Sequence, residues 1–94
     1  MDVSVFKESL GANEPPQNLS VCLKALWFDA RGEWDKAHDL IQGATDTNSS
    51  WIHAYLHRKE GDETNAAYWY NRAGKKVCHE PLENELDEIV AALG

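Results

Sequence analysis

The chain has 94 residues, of which 43% are hydrophobic, 27% are charged and 10% are aromatic. This composition is typical of a globular protein rather than a disordered one, and the length suits one small domain, residues 1–94. The formal net charge of −7 repels phosphate backbones and therefore argues against nucleic acid as a partner.

The chain carries no signal for a membrane or for export. No apolar run is long enough for a transmembrane helix, and charged residues interrupt the N-terminal segment, so we expect neither a membrane partner nor a secretory signal. The two cysteines, Cys22 and Cys78, lack CxxC spacing and do not amount to a disulfide framework. We predict a reduced, cytoplasmic protein. The alternative is an exported protein with one surface disulfide.

A short helix is predicted near the N-terminus, over residues 3–10. Val3, Phe6 and Leu10 recur at a spacing that places them on one face of a helix. The two adjacent prolines that follow favour extended backbone and separate this helix from the next one.

A pair of helices is predicted over residues 19–44. The first helix, 19–31, can be capped by Asn18 and is apolar on most sides, which is typical of a buried central helix. Gly32 ends it, because glycine accepts the left-handed conformation that closes a helix. The second helix, 33–43, has a single apolar face. The residues of that face are Trp34, Ala37, Leu40, Ile41 and Ala44.

A second pair is predicted over residues 50–74. Its first helix, 50–60, ends at Gly61, and Asp62 is a suitable cap for the helix 63–73 that follows. The apolar positions of that last helix are spaced i, i+3, i+4 and i+7. They are Ala66, Trp69, Tyr70 and Ala73.

A polar loop at residues 45–49 separates the two pairs, and a final helix is predicted over 81–93. Pro81 suits its first turn, with Glu83 and Glu85 near the positive end of the helix dipole. One side of this helix is an apolar stripe, as expected of a helix that caps a stack. The stripe consists of Leu82, Leu86, Ile89, Val90 and Leu93.

The two helix pairs repeat at an offset of 29 residues. The identical pairs are Ala25 and Ala54, Gly32 and Gly61, Ala37 and Ala66, and Ala44 and Ala73. A period between 20 and 50 residues is typical of a repeat architecture. The sequence therefore predicts an all-α fold of two antiparallel helix-hairpin repeats with flanking N- and C-terminal helices.

The order of residues in the two units resembles the tetratricopeptide repeat. The first unit fits at Ala25, Phe28, Gly32, Trp34, Ala37, Ile41 and Ala44, and the second at Ala54, Gly61, Ala66, Tyr70 and Ala73. The stretch 66–73 is also similar to the second helix of Sel-one-like repeats. The period is five residues shorter than the usual 34 of the family, and the closing proline is absent. The resemblance implies an αα-superhelix that binds a protein or a peptide and has no catalytic activity.

The resemblance also implies which residues bind the partner, because the first helix of each unit lines a concave groove in this family. The partner-binding candidates are Leu26, Asp29, Trp51, Tyr55, Arg58 and Lys59, with Cys22 and Ala30 beside them. Trp51 and Tyr55 next to a basic pair could hold an apolar side chain with an acidic end. Alternatively, these two aromatic residues pack under the N- or C-terminal helix. A second alternative is a homodimer, in which another copy covers the apolar surfaces left by only two repeats.

Histidines supply the only candidate metal ligands at a defined spacing. His53 and His57 are four residues apart and share a helix face, as two zinc ligands would. The glutamate of an HExxH motif is missing, because Ala54 follows His53, and His38 is predicted on the exposed face of its helix. Cys22, His38, Cys78 and His79 could in principle add ligands, but nothing fixes their spacing. We expect packing or solvated histidines and no metal or other cofactor, with a metal-binding protein as the alternative.

The sequence lacks the common catalytic patterns. It contains no glycine-framed serine and no glycine-rich phosphate loop. Cys78 directly precedes His79, and adjacent side chains seldom point at one another. Glu83 and Asp87 belong to a solvated helix face. We therefore predict that the protein is not an enzyme.

Overall fold

The structure, a computed structural model that describes residues 1–94, contains six helices and no strand. The helices are α1 (Val3–Ser9), α2 (Val21–Ala30), α3 (Trp34–Ile41), α4 (Thr47–Glu60), α5 (Glu63–Arg72) and α6 (Leu82–Leu93). The prediction of an all-α fold is confirmed. None of these helices has both the length and the apolar character that a bilayer crossing requires.

The start of α2 is set by a serine and not by the predicted asparagine. The side chain of Ser20 accepts a hydrogen bond from the backbone N–H of Leu23, which satisfies one of the free donors of the first turn. Asn18 lies two residues earlier with φ 68°, a left-handed conformation that an N-cap residue does not adopt. The predicted cap was therefore wrong, and the helix begins later than expected.

The start of α4 also differs from the prediction. Residues 45–49 were expected to form a polar loop, but α4 begins at Thr47. Asp46 caps it, because its side chain accepts from the backbone N–H of Ser49 at 3.0 Å. Because of this cap, residues 47–49 are helical, although their polar composition indicated a loop.

The two helix pairs, α2 with α3 and α4 with α5, are equivalent at their turns. Gly32 and Gly61 have φ values of 85° and 90°, and the residue after each glycine donates its N–H to the carbonyl five positions back at 2.9 Å. This is the Schellman arrangement that glycine permits at a helix end. Buried residues that share the offset of 29 are Leu23 and Ile52, Ala25 and Ala54, Leu26 and Tyr55, Trp27 and Leu56, Ala37 and Ala66, and Ile41 and Tyr70. Leu40, expected on the buried face of α3, is 37% exposed.

Helix α4 occupies the centre of the fold. Every residue from Ser49 to His57 is buried, although a helix at a surface would leave one side exposed. It contacts α2, α3, α5 and α6, so neighbouring helices surround it. Helix α6 also contacts α2 and α1, and its stripe covers the side of α2 and α4 on which the groove was expected.

Candidate functional site

The predicted partner-binding residues do not line an open groove. Leu26, Asp29, Trp51 and Tyr55 are buried, with at most 4% of each exposed. The remaining two candidates, the basic residues Arg58 and Lys59, are half-buried and exposed, respectively. The expectation of an open groove is therefore corrected, because α6 of the same chain packs against α2 and α4. Trp51 and Tyr55 pack under the C-terminal helix, as the alternative interpretation held.

A buried carboxylate of α6 forms the centre of this contact. Glu85 is 1% exposed and receives hydrogen bonds from three side chains. Trp51 Nε1 donates to Oε2 at 3.2 Å, and the guanidinium of Arg58 donates to Oε1 at 2.8 Å. The hydroxyl of Tyr70 lies 2.7 and 2.6 Å from the two carboxylate oxygens. Burial, together with Glu85, raises the pKa of Tyr70 well above its ordinary value, so this hydroxyl remains a donor at neutral pH.

Apolar residues surround this polar contact, which we call the Glu85 grip (Trp51, Arg58, Tyr70 and Glu85). The stripe of α6 contributes Ile89 and Val90 to the core, with Leu82, Leu86 and Leu93 packed beside them. A cleft of about 430 Å³ remains next to α6. Its lining residues are Lys7, Leu10, Ala30, Tyr55, Lys59, Leu82, Glu83 and Leu86. The groove of α2 and α4 is therefore filled along most of its length and open at one side.

A second ion pair lies between α2 and α4. Lys59 Nζ is 3.0 Å from the Oδ2 atom of Asp29, which is buried. Burial raises the pKa of Asp29, and Lys59 opposes that rise. Both residues were predicted to face a partner, and the structure instead pairs them with each other.

Sequence reasoning missed Glu85 and Tyr70. Glu85 was assigned only to the positive end of the helix dipole, with no buried contact. It follows Leu82 by three positions and precedes Ile89 by four, so helical spacing places it on the apolar stripe. A carboxylate on an apolar helix face was therefore the signal in the sequence for a buried polar contact, because a buried charge requires partners.

Three histidines converge on the other side of α4. His38 on α3 and His53 on α4 place their Nε2 atoms 3.0 Å apart. With His57, each ring offers one nitrogen within 4.8 Å of the other two. His38 is half-buried and points toward α4, so its predicted place on an exposed face was wrong. Cys22, Cys78 and His79 lie outside this cluster.

Neighbouring side chains fix the orientation of the three rings. Trp34 stacks on His38 with 5.0 Å between centroids, and Trp69 stacks on His53 at 3.9 Å. His57 Nδ1 lies 2.6 Å from a carboxylate oxygen of Glu60. That carboxylate accepts a hydrogen bond from the Nδ1–H, so the lone pair of the neutral His57 ring is on Nε2.

His53 is neutral at physiological pH. Burial, followed by the neighbouring His38 and His57, lowers the pKa of His53 to about 4. A neutral imidazole carries a lone pair on one ring nitrogen and can serve as a metal ligand.

Comparison of the chain with protein-family models, with curated proteins and with solved structures found no match. The resemblance to the tetratricopeptide repeat therefore stays a prediction. Two features of the chain bear on its function: the Glu85 grip and the histidine cluster.

Proposed function

We propose that the protein is a non-catalytic, tetratricopeptide-like interaction module that captures an amphipathic helix in the groove of α2 and α4. The Glu85 grip supports this proposal, since it holds an acidic, apolar helix through an indole, a guanidinium and a phenol. In the isolated chain, α6 is the occupant. A partner helix would take its place.

The chemistry of the grip indicates specific recognition in place of maximum stability. Burying a carboxylate costs several kcal/mol, and replacing a buried ion pair by apolar side chains is often neutral or stabilising by about 1–4 kcal/mol. Leucine at position 85, with apolar residues in place of the three donors as well, would fill the groove without this cost. Buried polar contacts instead select one partner and one register, because a mismatched partner leaves their donors unpaired.

The same chemistry defines the class of partner. It is a helix with a carboxylate at the position of Glu85 and apolar side chains at the positions of Leu82, Leu86 and Ile89. Such a helix offers anchors at i, i+3, i+4 and i+7, as helix-in-groove recognition requires. A second copy of α6 meets this description, so an exchanged dimer is one form of the proposed capture.

Two further features favour exchange of α6. Residues 75–79, which connect it to α5, have no regular secondary structure. The cleft beside Leu82 and Leu86 leaves the groove accessible next to the first turns of α6. A competing helix can therefore make its first contacts there before α6 is displaced.

The homodimer suggested by the sequence does not account for how the two helix pairs are covered in this structure. That form required a second copy to cover the apolar surfaces left by two helix pairs. Here α1 and α6 of the same chain pack on the core, and Phe6, Ile89 and Val90 are buried in it. A dimer that uses the groove of α2 and α4 would require release of α6.

A peptide in trans tests the proposal. A fluorescently labelled peptide of residues 81–94 is titrated with the full-length protein and followed by anisotropy. Glu85→Gln in the peptide removes the buried charge, whereas Glu88→Gln removes an exposed one from the same helix. A hydrogen bond to a charged group contributes about 1.5–3 kcal/mol, so we expect the first variant to bind about 10-fold more weakly or worse.

The control variant is expected to bind like the unmodified peptide. Equal affinity of the two variants would refute recognition through the grip. Absence of binding by every peptide would refute the exchange of α6. Sedimentation of the full-length protein at increasing concentration shows whether a second copy acts as the partner.

A further inference from the structure

The chain contains four histidines, and three of them meet at one place in the fold. His38 comes from the first helix pair and His53 and His57 from the second, so the sequence brings them together only through tertiary packing. We propose that these three imidazoles bind a divalent transition-metal ion, zinc in particular, and that the ion links α3 to α4. This site is separate from the groove and does not depend on the function proposed above.

The separation of the donor atoms suits such an ion. Zinc–nitrogen bonds measure about 2.0–2.1 Å, so two nitrogens on a tetrahedral centre lie about 3.3 Å apart. The Nε2 atoms of His38 and His53 are 3.0 Å apart, and the third histidine offers a nitrogen within 4.8 Å of both. The spacing of the three nitrogens is therefore close to that of a zinc site.

The surroundings of His57 match those of a metal ligand. Metal-binding histidines generally donate their second ring N–H to a carboxylate or a carbonyl, which sets the tautomer and strengthens the ligand. Glu60 occupies this place at 2.6 Å from Nδ1. Trp34 stacks on His38 and Trp69 stacks on His53. These two rings are therefore held in place before an ion binds.

The donor set defines the class of ion. Imidazole favours zinc, copper and nickel over calcium and magnesium, which prefer oxygen ligands. Three protein ligands leave a fourth tetrahedral position for water or another donor. His38 is half-buried, whereas the other two histidines are buried, so the ion would enter from the side of α3.

Zinc titration of matched variants tests the site. Zinc chloride is titrated by calorimetry into the full-length protein and into the variants His38→Gln and His79→Gln. His79 is exposed and lies outside the cluster, so it controls for nonspecific binding to a surface imidazole. We expect one zinc ion per chain for the natural protein and for His79→Gln, and binding at least about 10-fold weaker for His38→Gln.

A spectroscopic measurement on the unmodified chain makes the result independent of variant folding. Zinc should shift the NMR ring signals of the three clustered histidines and leave those of His79 in place. Cobalt(II) should give the visible absorption of a tetrahedral centre. The proposal is overturned if micromolar zinc does not bind, if both glutamine variants bind equally well, or if the shifts occur at His79.

Discussion

Replacing Glu85 by leucine tests whether the buried carboxylate organises the contact of α6. The substitution leaves Trp51 Nε1 and the hydroxyl of Tyr70 without an acceptor in a buried setting, whereas Arg58 is exposed enough to turn toward water. Each unpaired buried donor costs about 1–3 kcal/mol. Burial of the leucine side chain returns about 2 kcal/mol. The net loss is roughly 2 kcal/mol, which in a domain of this size lowers Tm by roughly 10 °C.

The informative comparison is with a triple variant that removes two of the three donors together with the acceptor. Glu85→Leu combined with Tyr70→Phe and Arg58→Met replaces most of the grip by apolar groups of similar volume and leaves Trp51 Nε1 as the one donor without an acceptor. Its stability should exceed that of Glu85→Leu by about 1–3 kcal/mol, because the Tyr70 hydroxyl is no longer left unpaired. Urea unfolding followed by circular dichroism measures all three proteins. A single variant as stable as the natural protein, or a triple variant no better than the single one, would refute the reasoning.

Other expected outcomes concern helix ends and the histidine cluster. Asp46→Ala should cost about 1 kcal/mol in urea unfolding. In the natural protein, the hydrogen bond from the backbone N–H of Ser49 lowers the pKa of Asp46, so the stabilisation is present at neutral pH and is lost as the pH falls through that lowered value. The same dependence of the unfolding free energy on acid pH in the variant would contradict this. Gly61→Ala should cost about 1–2 kcal/mol because φ is 90°, whereas Gly43→Ala, where no left-handed angle is required, should be neutral in the same unfolding assay. Trp69→Ala removes the ring stacked on His53 and should weaken zinc binding about 10-fold in calorimetry; an unchanged Kd would show that stacking does not position the ligand.

The helix pairs could be predicted because their signals are local. Gly32 and Gly61 both adopt left-handed angles, and Asp62 caps α5 as its position after a helix indicated. The start of α4 was missed because Thr47 and its polar neighbours look like a loop by composition, and one capping aspartate outweighs that composition. Propensity is a weak guide where a single side-chain hydrogen bond decides a boundary.

The candidate sites required tertiary information. Trp51 and Tyr55 next to the basic pair were predicted to hold an acidic, apolar group of a partner. Of these four residues, Trp51 and Arg58 hold Glu85 of α6, and no local pattern reveals which segment fills a groove. The error at His38 has a related cause. Helical spacing gives the direction of a side chain around its own axis and says nothing of the neighbouring helix that it meets. His38 could therefore be named as a possible ligand, but its contact with the histidines of α4 could not be predicted.

The enclosure of α4 by its neighbours determines how its backbone amides exchange with solvent deuterium. An amide at the centre of a small domain is exposed only when the whole domain opens, so its protection factor reports the global free energy of unfolding. The amides of Ile52 and Leu56 should exchange among the slowest in the chain, because both residues are fully buried in the middle of that helix.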